Sequence, residues 1–148
     1  MFSVPKSAGP AVLVVALAVP LTAPGAASAA EKLRASMTGA AEVPRGDADG
    51  RGRARITTDR ERGRVCYRIT LTRVGTVAAG HIHKGAAGKA GPIVVGFFAT
   101  PTRRPAGCVT GVSRKLIADI ERHPGRYYVN VHNARHPAGA VRGQLRGT

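Results

Sequence analysis

Five histidines stand in this 148-residue chain, and three of them are spaced so that they could share one ligand. His81 and His83 flank Ile82 in the run Ala79-Gly-His-Ile-His-Lys-Gly85. On an extended strand, residues two apart leave the same face, so both imidazoles project side by side. The run Tyr127-Tyr-Val-Asn-Val-His132 places Tyr128, Asn130 and His132 on one face and Tyr127, Val129 and Val131 on the other. If the two strands are neighbours, three imidazoles and an amide converge. Three neutral nitrogens suit copper or zinc with one coordination position left open. The competing expectation is plainer: same-face histidines hydrogen-bond carbonyls of the glycine-rich loop Gly85–Gly91, or face solvent. His123 and His136 each precede a proline and are expected in solvated turns.

Other chemistries lack their residues. There is no Gly-x-Ser-x-Gly, and the Ser-x-x-Lys of Ser3 to Lys6 falls in a leader segment. The Gly85–Gly91 loop has neither the spacing of a phosphate cradle nor a helix to follow it. No catalytic residue and no firm cofactor is therefore expected. The function implied is an exported, non-catalytic binding or structural module; the alternative is a copper- or zinc-binding protein using His81, His83 and His132.

The elements that must position these groups are mostly strands. Hydrophobic period is two along most of the chain, as in Val65, Tyr67, Ile69 and Leu71 alternating with Cys66, Arg68, Thr70 and Thr72. Strands are predicted at 33–38, 52–58, 64–74, 78–84, 92–99, 108–112, 126–133 and 141–146. One short helix is predicted to follow Ser113 as its cap, with Leu116, Ile117 and Ile120 as its apolar stripe and His123-Pro124-Gly125 as its stop. The fold class is thus all-β: a Greek-key-like antiparallel sandwich or barrel of about eight strands with one short helix. With 19 Gly, 10 Pro, no Trp, three Tyr and three Phe, turns abound and the core must be aliphatic. The Arg45-Gly-Asp47 sequence is expected to be a turn and not an adhesion motif.

Residues 1–30 have the composition of a signal peptide: Lys6, then the apolar Ala11 to Leu21 broken by Pro20, then an Ala27-Ser28-Ala29 cleavage site. Cleavage after Ala29 or Ala30 would leave a single domain over 31–148, secreted or envelope-associated, with no transmembrane anchor. In an oxidising compartment Cys66 and Cys108 are expected to form a disulfide; the alternative is two buried thiols. The chain carries 23 Lys plus Arg against 8 Asp plus Glu, a net charge of +15. Such a charge attracts polyanions, so an anionic cell-envelope polymer or an extracellular protein is the expected partner, with no specific nucleic acid. Along the sequence these charges are scattered, which implies weak, salt-sensitive adhesion.

Taken in order, Ala41-Glu-Val-Pro44, Ala79-Gly-His-Ile-His-Lys-Gly85, Gly91-Pro-Ile-Val-Val95, Tyr127-Tyr-Val-Asn-Val-His132 and Pro137-Ala-Gly-Ala-Val-Arg-Gly-Gln-Leu145 carry a family resemblance. Over Leu33 to Leu145 the chain resembles the CHRD domain, in the form of a bacterial exported single-domain member. That resemblance implies an extracellular β-sandwich-like domain and transfers no activity. Growth-factor binding, known for chordin, is not carried over, because the chain lacks the cysteine-rich modules found there. Arg45 and Val141 stand where the family commonly has a proline and an acidic residue. Asn130, Arg142 and Gln144 are expected as polar neighbours of the histidine site. The His-x-His strand is also similar to the copper strand of copper/zinc superoxide dismutase, but the chain has too few candidates for that enzyme's remaining ligands.

Overall fold

The computed structural model describes residues 1–2 and 30–148. Residues 3–29 of the expected leader (1–30) lie outside the described residues. No helix among the described residues is long and apolar enough to cross a membrane.

The described residues form nine strands: β1 (Glu31–Thr38), β2 (Arg51–Asp59), β3 (Arg64–Thr72), β4 (Ala79–Lys84), β5 (Ile93–Phe98), β6 (Ala106–Val109), β7 (Tyr127–His132), β8 (Val141–Gln144) and β9 (Arg146–Gly147), with the helix α1 (Arg114–Arg122) between β6 and β7. All belong to one antiparallel sheet ordered β5-β4-β7-β8-β1-β2-β3-β6, with β9 also beside β1. The strict alternation in β1 to β3 sends Leu33, Ala35, Met37, Ala54, Ile56, Val65 and Ile69 to one side and charged or hydroxylated side chains to the other.

Closure of this sheet resolves the choice between sandwich and barrel. The terminal strands β5 and β6 approach each other, and the ring of Tyr67 stacks on that of Phe97 at 4.4 Å. The Tyr67 hydroxyl donates to the Phe97 carbonyl at 3.1 Å across the seam. The result is a nearly closed barrel whose interior is mainly aliphatic, with Tyr67, Phe97 and Tyr127 as its aromatic members. Helix α1 caps one end: Ile117 and Ile120 are fully buried, and its acidic residues bind the barrel rim. Glu121 accepts from Thr58 at 2.7 Å, and Asp119 accepts from the Tyr127 hydroxyl and lies 3.4 Å from Lys84 Nζ.

Ser113 occupies the helix N-cap position as expected, but its hydroxyl makes no capping hydrogen bond, which corrects the mechanism proposed for that boundary. The expected strand at 108–112 is shifted to Ala106–Val109, because pairing with β3 places Cys108 opposite Cys66. Those two cysteines form the disulfide, and no free thiol remains. The Arg45-Gly-Asp47 segment is a turn: Asp47 Oδ1 accepts from the amides of Asp49 and Gly50.

Candidate functional site

Strands β4 and β7 are antiparallel neighbours, with Ala79 opposite His132, His81 opposite Asn130 and His83 opposite Tyr128. β8 extends the same face, with Asn130 opposite Arg142 and Tyr128 opposite Gln144. Residues in register across antiparallel strands share a face. His81, His83, Tyr128, Asn130, His132, Arg142 and Gln144 therefore all leave the side opposite the core residues Ile82, Val129 and Val131. The pairing of β4 with β5 shifts register between Gly80 and His81 and again between Ile82 and His83, so an irregularity immediately precedes each histidine.

The three expected ligands converge. One ring nitrogen from each of His81, His83 and His132 lies within 4.8 Å of the other two. Their hydrogen bonds set the tautomers. His83 Nδ1 is 2.8 Å from the Gly91 carbonyl and His132 Nδ1 is 2.9 Å from the Pro137 carbonyl. A carbonyl only accepts, so each Nδ1 carries its proton and each Nε2 keeps its lone pair. His132 Nε2 then accepts from His81 Nδ1 at 3.2 Å. This is the arrangement in which backbone carbonyls orient imidazole ligands from behind. The carbonyl-bonding alternative is thus realised for His83 at Gly91, yet it occupies only one nitrogen of the ring. Its other nitrogen, Nε2, is buried without a protein partner.

The electrostatics favour the neutral form of His81 and of His83. Burial pushes the His81 imidazolium down in pKa, reinforced by His132 and His83. Burial does the same to His83, against the pull of the Gly91 carbonyl. Neutral imidazole is the form that binds a metal.

Beside the triad lies a buried polar assembly that holds the covering loops. Arg142, only 1% exposed, places its guanidinium carbon 3.3 Å from the Tyr128 ring centroid and donates to the Ala86 carbonyl at 2.8 Å. Its second acceptor is Gln144 Oε1 at 3.2 Å, and Gln144 Nε2 donates to the Gly85 and Gly125 carbonyls at 2.9 Å each. The Tyr128 ring also stacks on His83 at 4.7 Å. These contacts tie the 85–91 loop down over the strands.

Glu42 belongs to this assembly and was not among the expected site residues. It follows the short turn Gly39–Ala41 and is 5% exposed, with Oε1 lacking a protein partner. Burial pushes its carboxyl up to about 7, opposed by the Arg142 charge and the Asn130 amide. Gly139 closes over it at φ +142°, where a Cβ would stand 2.5 Å from the carboxylate, so only glycine fits there. Asn130 sits between the two halves: its amide acts on Glu42, His81 and His83, and its buried Oδ1 has no partner at hydrogen-bond geometry. The sequence signal for Glu42 was its place in Ala41-Glu-Val-Pro44, but nothing there showed that the segment folds against β8. His123 is exposed at the end of α1, whereas His136 is half-buried and donates its backbone amide to Asn133 Oδ1 at 2.8 Å, which corrects its expected solvation.

No curated protein and no solved structure matches the chain. A family model does: the CHRD domain, over residues 33–145, a span that contains every strand of the histidine face and the Glu42 segment. The chain belongs to the CHRD domain family.

Proposed function

We propose that the chain is an exported, non-catalytic binding module whose polar face holds one copper or zinc ion through His81, His83 and His132. The observation that carries this is the buried, partnerless Nε2 of His83 in a triad whose ring nitrogens, one from each histidine, lie within 4.8 Å of one another. A buried acceptor left unpaired costs about 1–3 kcal/mol, and a metal bond removes that cost. His83 and His132 would bind through Nε2, since their Nδ1 protons are committed to Gly91 and Pro137. His81 would move its proton from Nδ1 to Nε2, freeing the nitrogen that now faces His132. Three histidines leave a fourth position for water or for a partner's side chain. Export is supported by the signal-like residues 1–30 and by the disulfide, which suits an oxidising compartment.

The test is elemental analysis with copper and zinc titration of the secreted protein beside a variant carrying His81→Ala, His83→Ala and His132→Ala. About one metal ion per chain, lost in the variant, is expected. No metal in the wild type after titration would remove the metal and leave the triad as a structural cluster.

A further inference from the structure

Register gathers the arginines that the sequence scatters. Arg146 of β9 lies opposite Arg34 of β1, Arg34 opposite Arg55 of β2, and Arg55 opposite Arg68 of β3. Partners in register share a face, and strands stand about 4.8 Å apart, so four guanidinium groups form a row about 15 Å long across the outside of the barrel. All four residues are exposed, and the exposed Arg53 and Lys32 flank the row on β2 and β1. None of Arg34, Arg53, Arg55, Arg68 or Arg146 forms a hydrogen bond or ion pair with a described residue through its side chain. The outer face of β1 to β3 carries one carboxylate, Asp59, at the far end of β2, where Arg62 and Arg64 engage it at 3.0 and 3.3 Å.

Like charges directly opposite one another destabilise a sheet, and this row repeats that pairing three times. The outward residues next to the row, Ser36, Thr57 and Thr70, are small and hydroxylated, and Cys66 there is tied into its disulfide. Two shallow grooves sharing Arg55 run beside the row. One, of about 490 Å³, is bordered by Arg34, Arg53, Arg55 and Arg146; the other, of about 430 Å³, by Arg55 and Arg68.

We propose that this arginine row is the docking track for a linear phosphodiester polymer of the cell envelope, of the poly(glycerol phosphate) type. Arginine forks bind phosphate oxygens in pairs and stay charged at any physiological pH, which suits this composition better than lysine would. A row of like charges needs a partner with repeating opposite charge. The outer face of β1 to β3 has no aromatic side chain on which a base could stack, which disfavours single-stranded nucleic acid. Polymers of sugar uronates carry their carboxylates on rigid rings, whereas a phosphodiester of a short alditol can turn successive phosphates toward one face. The envelope source rests on export of the chain; the track itself is independent of the histidine site.

The experiment measures binding of end-labelled poly(glycerol phosphate) to the secreted protein from about 50 to about 200 mM salt, with a metal chelator present. One variant carries Arg34→Gln, Arg55→Gln and Arg68→Gln; a charge-matched control carries Arg114→Gln, Lys115→Gln and Arg135→Gln. Single-stranded DNA and polygalacturonate of equal charge are the competing probes. Expected is a loss of about tenfold or more in the row variant, with its salt slope reduced by about 2–3, against a change under about threefold in the control. The row variant should melt no lower than wild type, which separates lost docking from lost folding. Equal losses in both variants, absence of wild-type binding, or equally tight binding of either competing polymer would each overturn the proposal.

Discussion

Glu42 and the two histidines nearest Asn130 oppose one another in acid, and the signs can be worked out. The Glu42 carboxyl, raised from 4.5 to about 7 by burial, keeps its proton in the folded chain where the unfolded chain has lost it. Stability from this group therefore falls as pH rises from about 4.5 to about 7. His81 and His83 are shifted below their ordinary 6.5, so the unfolded chain takes up their protons first and stability falls as pH drops through that value. Glu42→Gln removes the first effect and leaves the second. In chelator, the stability of this variant should climb more steeply from about pH 5 to about pH 7 than that of wild type, read from denaturant midpoints at several pH values. Identical slopes would show that the carboxyl is not held neutral at this position. The glutamine also keeps the shape of the side chain beside Gly139, so the comparison isolates the proton.

At the scale of elements, hydrophobic period told which residues face the core but not which strands are neighbours. Alternation in Val65 to Leu71 and in Tyr127 to His132 marked both strands, and each forms with its expected face inward. The condition that β4 and β7 be adjacent had no local signal, because 42 residues separate Lys84 from Tyr127 and the intervening β5, β6 and α1 pass around the barrel. Glu42 was hidden for the same reason, and so was the seam between Tyr67 and Phe97. The cysteines are the exception: an oxidising compartment and two residues leave one intramolecular pairing. That bridge joins β6, a terminal strand of the sheet, to β3 across a separation of 42 residues. In the chain-entropy account its removal costs about 4 kcal/mol. Replacing both cysteines by serine should lower the denaturant midpoint accordingly, and reductant should then leave the variant unchanged while lowering wild type. A variant as stable as wild type would mean that the pairing of β3 with β6 and the Tyr67 seam hold the edge unaided.

Over the whole molecule, a net charge of +15 opposes the compact state, and its geometry decides where that opposition concentrates. Ion pairs among the described residues gather elsewhere: Asp59 and Glu121 pair with arginines around the β2–β3 end, and Lys84 pairs with Asp119. None relieves the row of Arg146, Arg34, Arg55 and Arg68, whose members face one another in solvent. Exposed charges are screened within about 8–10 Å at physiological salt, longer than the spacing between strands, so neighbours in the row still repel. Added salt should therefore raise the melting temperature, and an inert sodium salt should do so without any specific anion. Arg34 and Arg55 stand in the middle of the row, each flanked by like charge on both sides. Arg55→Gln should stabilise the protein by roughly 0.5–1 kcal/mol at low salt, and the gain should shrink as salt rises. Arg135→Gln, in the exposed turn after β7, should gain less, because no arginine lies opposite it in register. The measurement is thermal unfolding of the three proteins over a salt series. Equal gains for both substitutions would mean that repulsion is spread over the surface and that the row carries no special cost; a gain confined to Arg55 would show that folding retains four cations where an uncharged face would be more stable.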